Sequence, residues 1–329
     1  VFDFNSRHNF PGNHPLNLSM TKGVFRDADL ILCLDTRDWE KPTTELASMT
    51  RVVTSLAPSS CKWIDIGFGD LEISSWALSY QRALAADLRI QADTTTAIPA
   101  LTKLCRGLLA KNPRLKPEIE KRFAATKKKH AAMRAKWAKQ AKENWDMSPI
   151  TLPRLASEVW EVIKKEDWVL AAGNLKDWAR KLWDYDKHYR WSGGSIGTST
   201  QIGISLGVAL AHRDKGRLVV DLQPDGDLMF DLGALWVAAK HKIPILLVMY
   251  NNRAYYNDWE HQIRLAKQRG TPVERAHIGM DLCDPDPDFA TIARGMGWYA
   301  EGPIDKGKDV KAALKRAIAR VKAGQPALV

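Results

Sequence analysis

The chain has 329 residues, 45% of them hydrophobic and 26% charged, with a formal net charge of +11. That length accommodates about two domains, and no apolar run approaches the roughly 20 residues of a membrane span. The opening "VFDFNSRHNF" lacks the charged start, apolar stretch and cleavage site of a secretory leader, so a cytoplasmic location is expected.

In chain order, "ADLILCLD" (28–35), "TRVVTSLA" (50–57) and "CKWIDIG" (61–67) are short strand-like runs. Residues 73–109 then alternate polar connections with helix-like stretches. This pattern suits part of an α/β domain over residues 1–107. Residues 108–150 differ in charge: between Lys111 and Glu143 twelve Lys/Arg face three Glu, which leaves only +2 for the remainder. The segment is rich in Ala, Lys and Glu and predicts helix. A solvated connecting helix is the expectation; contact with a nucleic-acid backbone is the alternative, with sparse aromatic interleaving to support it.

Over residues 151–329 strands and helices alternate clearly. "DWVLAAG" (167–173) reads as strand, "LKDWARKLW" as short helix, "YRWS" as strand, "TSTQIGISLGVALAHR" as helix and "GRLVVDL" as strand. A helix over "LMFDLGALWVAAKH", the strand "IPILLVMYNN", a helix over "PDFATIARGMG", the short strand "WYA" and a final helix "KDVKAALKRAIARVKAG" complete the series. Such alternation implies a parallel, doubly wound sheet. The four cysteines, Cys33, Cys61, Cys105 and Cys283, lie far apart with no C-x-x-C pair. They are expected as buried thiols rather than as disulfides or a zinc site.

Ligands of doubly wound sheets gather outside the carboxyl ends of the strands. Two polar clusters fall there: Asp225-Gly226-Asp227 after one strand and Asn251-Asn252 after the next. A hard cation such as Mg²⁺ takes oxygen ligands, one or two from side chains, with phosphates and water completing the shell. A carboxylate at Asp225 and an amide oxygen at Asn252 meet that need. Gly226 permits close approach of backbone to a phosphate, and the following helix offers N–H groups to an anion. Each dipeptide is also an ordinary turn signal, so composition alone leaves both readings open.

Asp225 and Asn252 stand 27 residues apart, "DG" at the front and "YNN" at the back. This resembles the signature of thiamine-diphosphate enzymes, the family of acetolactate synthase, pyruvate decarboxylase and benzoylformate decarboxylase. "RWSGGSIGTSTQIGISLGVALA" (190–211), "AAGNLKDW" (171–178) and the closing "AGQPALV" are similar to other parts of its cofactor domain. "NFPGNHPLN", "ADLILCLD" and "WIDIG" look like the later part of the family's middle domain. The resemblance implies two doubly wound parallel-sheet domains: a partial middle domain (1–107) and a diphosphate-binding domain (151–329), joined by the basic helical linker (108–150).

Carried over position by position, the resemblance implies Mg²⁺ ligands at Asp225, Asn252 and the Ala254 carbonyl. Cofactor contacts are implied at Asn174, Leu175, Gly194, Ser195, Gly226, Asp227 and Tyr255. The Gly194 carbonyl would accept from the aminopyrimidine, and Ile196 would wedge the cofactor into a V so that its amine approaches thiazolium C2. The implied substrate is a 2-oxo acid or related acyl donor, which undergoes decarboxylation, carboligation or C–C cleavage. The implied partner is a pyrimidine-binding domain that supplies an activating glutamate, in a homo- or hetero-oligomer.

Two departures stand out. Pro224 replaces the first glycine of the family's G-D-G, and the pyrimidine-binding domain is expected outside the sequence, which opens within a middle-domain pattern. A non-catalytic cofactor-binding or assembly subunit is therefore the second reading. Asp258 falls where some decarboxylases of the family place a catalytic acid, within a divergent "YYNDWEHQ". Glu260 and His261 read as a solvated helix start, and "DPDPDF" (284–289) as a turn with Asp288 at a helix start rather than a calcium loop.

Overall fold

The computed structural model describes residues 1–3, 8–36, 39–47, 50, 52–68, 85–193 and 197–329. It divides into two compact units, one of residues 1–4 and 18–130, the other of residues 5–17 and 131–329.

The first unit holds a parallel three-stranded sheet. Strands β1 (Leu30–Leu34), β4 (Lys62–Gly67) and β5 (Leu88–Gln91) lie in the order β1-β4-β5. Strands β2 (Thr44–Leu46) and β3 (Val53–Ser55) form a separate antiparallel pair, so "TRVVTSLA" contributes a hairpin rather than a strand of the main sheet. Helix α1 (Thr94–Lys111) is capped by Asp93, whose side chain accepts from Thr95 N, the usual device for an orphan first-turn donor. Helix α2 (Lys116–Gln140) follows, as its alanine-rich, lysine-rich sequence predicts.

In the second unit five parallel strands are ordered β6-β7-β8-β10-β9. They are β6 (Trp168–Ala172), β7 (Leu218–Pro224), β8 (Leu246–Tyr250), β9 (Tyr299–Ala300) and β10 (Ala327–Leu328). Helices α3 (Leu152–Ile163), α4 (Trp178–Leu182) and α10 (Gly307–Lys322) share one apolar cluster with one face of the sheet. Helices α5 (Thr200–His212), α7 (Gly233–Lys240) and α9 (Phe289–Gly295) share the other. The sheet is thus covered on both sides, as a parallel sheet must be. Helix α10 shows the driving pattern: Val310, Ala313, Leu314, Ala317, Ile318 and Val321 fall on one stripe and are buried. Each large apolar side chain so buried contributes about 1.5–3 kcal/mol.

Helices α6 (Asp225–Met229) and α8 (Tyr256–Arg269) also belong to this unit. The single helix expected over "LMFDLGALWVAAKH" is broken between α6 and α7. There Phe230 N–H donates to Asp227 O, Asp231 to Leu228 and Ala234 to Asp231, a tighter i→i+3 winding. "YRWS" supplies only an isolated bridge, Leu170 with Trp191, because Leu170 exchanges just two bonds with the segment, at Arg190 and Ser192. Cys33 and Cys61 are buried as expected, whereas Cys105 and Cys283 are exposed; all four are free thiols. Among the described residues no helix is long and apolar enough to cross a membrane.

Candidate active site at the ends of the central strands

Strands β7 and β8 are neighbours, and their last residues, Pro224 and Tyr250, face each other in register. The two polar clusters therefore emerge side by side. Asp225 opens α6 and is only 2% exposed. Its Oδ2 accepts from the Ala254 N–H at 3.2 Å, and Asn252 Oδ1 accepts from the same N–H at 3.2 Å. A local turn sets this up: Asn251 Oδ1 accepts from Arg253 N–H at 2.9 Å, and Arg253 takes a left-handed conformation with φ of 56°.

The Ala254 carbonyl oxygen lies beside this turn, 3.6 Å from where a Cβ on Gly226 would stand. Ala254 bridges Asp281 through bonds that use the Tyr255 N–H (to Met280 O) and the Arg253 carbonyl (from Leu282 N–H), which leaves the carbonyl of Ala254 itself out of the bridge. Burial pushes the Asp225 carboxyl above its ordinary pKa, against the lowering effect of the Gly226, Ala254 and Arg253 N–H groups. Among the described residues Asp225 forms no ion pair; the nearby Arg253 guanidinium is committed to Asp286 at 2.8 Å.

Gly226 is required for space rather than for φ. A Cβ there would lie 2.7 Å from Tyr255 Cδ1 and 3.6 Å from the Ala254 carbonyl oxygen. Pro224 fits its place: its φ of −76° suits the ring, and it stands beyond the last β6 pairing, Ala172 with Asp221.

Asp227 points elsewhere. Its Oδ1 accepts from Ser199 N–H at 2.7 Å and its Oδ2 from Gln223 Nε2 at 3.1 Å. Behind it lies a polar pair on β7, because Asp221 and Gln223 share one strand face. Asp221 is fully buried and accepts from Gln201 Nε2 at 2.7 Å. Burial, reinforced by the Asp227 charge and opposed by the Gln201 amide and Ser205 hydroxyl, pushes its carboxyl up to about 7. Period-two reading of "VVDLQPD" could have found this face; the partners on α5 could not be foreseen.

The loop after β6 is held tightly. A Cβ on Gly173 would lie 1.9 Å from the Leu222 carbonyl oxygen, and Leu175, Lys176 and Asp177 all have positive φ. Leu175 is fully buried in the core, and the Asn174 amide is engaged with Asp177 in both directions, at 3.0 and 3.2 Å. Lys176 Nζ lies 5.1 Å from the Tyr256 ring centroid, which ties this loop to the segment after β8. Gly194, Ser195 and Ile196 lie outside the described residues. Asp258, Glu260 and His261 are exposed on α8, and Asp258 in its first turn suits the helix dipole. Asp288 caps α9 by accepting from Thr291 N–H at 2.9 Å, as expected.

Residues 171–329 match the family described as thiamine pyrophosphate enzyme, C-terminal TPP binding domain. A Mycobacterium tuberculosis protein assigned as an acetolactate synthase large subunit, IlvX, is 34% identical over 110 residues, 32% of this chain and 20% of its own length. Among solved structures, a Mycobacterium smegmatis protein assigned as a thiamin diphosphate-dependent enzyme superposes with a TM-score of 0.62 at 18% identity, over 99% of this chain and 54% of that one. The thiamine diphosphate-dependent 4-hydroxybenzoylformate decarboxylase of Rhodococcus jostii RHA1 superposes with a TM-score of 0.59 at 18% identity, over 98% of this chain and 53% of that one. The chain thus spans about half the length of these structures. The matches thus converge on thiamine-diphosphate enzymes, and residues 171–329 correspond to their C-terminal cofactor-binding domain.

Proposed function

We propose that the chain binds thiamine diphosphate with Mg²⁺ at the ends of β7 and β8 and serves a decarboxylase or carboligase of 2-oxo acids. One observation carries this reading: a buried carboxylate with no ionic partner among the described residues shares a single N–H with the Asn252 amide oxygen, beside the Ala254 carbonyl. Three oxygens of this kind, all hard donors, fit a small divalent cation that keeps phosphate and water as its other ligands. Asp225, Asn252 and Ala254 would hold the metal. The N–H groups of Gly226 and Asp227 would face the diphosphate, where the absence of a Cβ at position 226 keeps Tyr255 close.

Bound thiamine diphosphate supplies an electron sink for the carbanion that C–C cleavage of a 2-oxo acid generates. The chain's own residues anchor and orient: Gly173 and the loop through Asp177 brace β7 from one side, and the turn 251–255 braces it from the other. We further propose that a pyrimidine-binding domain, in this or a second chain of an oligomer, covers the cofactor's other end. Calorimetric titration with thiamine diphosphate tests the site. Binding is expected with Mg²⁺ present, to vanish with chelator, and to vanish in Asp225→Ala; equal binding with and without Mg²⁺ overturns the assignment. Turnover of pyruvate or benzoylformate by the loaded protein together with such a domain separates an enzyme from a non-catalytic subunit.

A further inference from the structure

Ser199 occupies the N-cap position of α5 in a left-handed conformation, φ 70°, and its own side chain caps nothing. A non-glycine residue held there is strained and persists only where its surroundings impose it. The imposing group comes from 28 residues away: Asp227 Oδ1 accepts the Ser199 N–H at 2.7 Å. A second tie lies two residues further on, where Gln201 Nε2 donates to Asp221 Oδ1 and to the Leu222 carbonyl, both at 2.7 Å. Gln223, fully buried, steadies the other oxygen of Asp227 at 3.1 Å. The start of α5 is thereby fastened to the turn that carries Asp225.

From these contacts we infer that Asp227 is a positioning residue, a strap that fixes the first turn of α5 against the metal-binding turn and so sets the shape of the cofactor site. The inference rests on the site proposed above. The geometry also resolves a conflict of charge. An acid two residues after Asp225 would repel a diphosphate at that turn, yet this carboxylate is turned to Ser199 and takes an N–H donor on each oxygen. As an anion near the N-terminus of α5, a helix of 13 residues, it also gains from the helix dipole.

The conservative variant is informative because Gln223 Oε1 has no partner among the described residues. In Asp227→Asn the new amide keeps an oxygen for Ser199, and Gln223 can rotate its amide to offer that free oxygen to the new N–H. Hydrogen exchange of the full chain without cofactor, and its affinity for thiamine diphosphate with Mg²⁺, read the two halves of the claim. Asp227→Ala is expected to speed exchange at the Ser199 and Gln201 amides by about tenfold and to weaken affinity by about tenfold, the loss of one charge-assisted bond. Asp227→Asn is expected to keep both within about threefold of the parent. If Asp227→Ala does not fold, Asp227→Ser, too short to reach Ser199, reads the same quantities.

Unchanged exchange at Ser199 in the alanine variant overturns the strap. Faster exchange with unchanged affinity reduces Asp227 to a local structural role and overturns its positioning of the site. Asp225→Ala keeps the outcomes apart: if that variant also binds normally, the site assignment has failed, while exchange at Ser199 still reports on the strap.

Discussion

Asp225 and Asn252 meet at one backbone amide, the Ala254 N–H, each through a side-chain oxygen at 3.2 Å. Two oxygens that share one donor lie close enough to share one cation. The donor itself is fixed by the turn from Asn251 to Tyr255, which sets where both oxygens stand. Asp225→Ala is accordingly expected to reduce Mg²⁺-dependent binding of thiamine diphosphate by at least about a hundredfold, and Asn252→Ala by about tenfold or more, since Asn252 is exposed and water can replace its oxygen. Titration calorimetry at fixed Mg²⁺ checks both.

Asp221 makes stability depend on pH in an unusual direction. Its carboxyl stands near 7 in the folded protein against 3.8 ordinarily, so the folded state holds a proton that the unfolded state releases. Stability from this group is therefore present below about pH 4 and is lost as pH rises towards 7. Asp221→Asn, which keeps an oxygen for Gln201, is expected to be more stable than the parent at pH 8 and equal to it near pH 4. Urea unfolding across that range checks the sign.

Gly173 and Gly226 are expected to resist substitution to different degrees. At Gly173 the added Cβ would meet the Leu222 backbone at 1.9 Å with φ at 74°, and strand β7 cannot retreat. At Gly226 it would meet the Tyr255 ring, which can. Gly226→Ala is expected to cost about 1–3 kcal/mol and Gly173→Ala more. In a double-mutant cycle Tyr255→Ala is expected to relieve most of the first cost and none of the second.

Trp183 is fully buried and donates from Nε1 to the Ala156 carbonyl at 2.8 Å. Trp183→Phe leaves that carbonyl buried without the bond and opens a small void. A loss of about 2–4 kcal/mol is expected in chemical denaturation, from the unpaired acceptor and the lost packing together.

The alternation of elements and the doubly wound sheet were legible in the sequence, because each is written in local signals, and so was the approach of Asp225 to Asn252. Periodicity 2 against 3.6 marks strands and helices, and 27 residues separate Asp225 from Asn252 across a single strand–helix–strand unit. Adjacent parallel strands then bring those two ends together with little choice. What tertiary structure alone decided is how neighbours share the space there. Gly226 is needed because of where the Tyr255 ring lies, Arg253 is spoken for by Asp286, and the Asp227 side chain serves Ser199 rather than the turn it belongs to. The broken helix after Asp225 and the single bridge at Trp191 belong with these, for competing short-range hydrogen bonds set them. Local pattern fixes which backbone forms; only close packing, which sets the donors and acceptors within reach of each polar atom, fixes what each polar side chain is for.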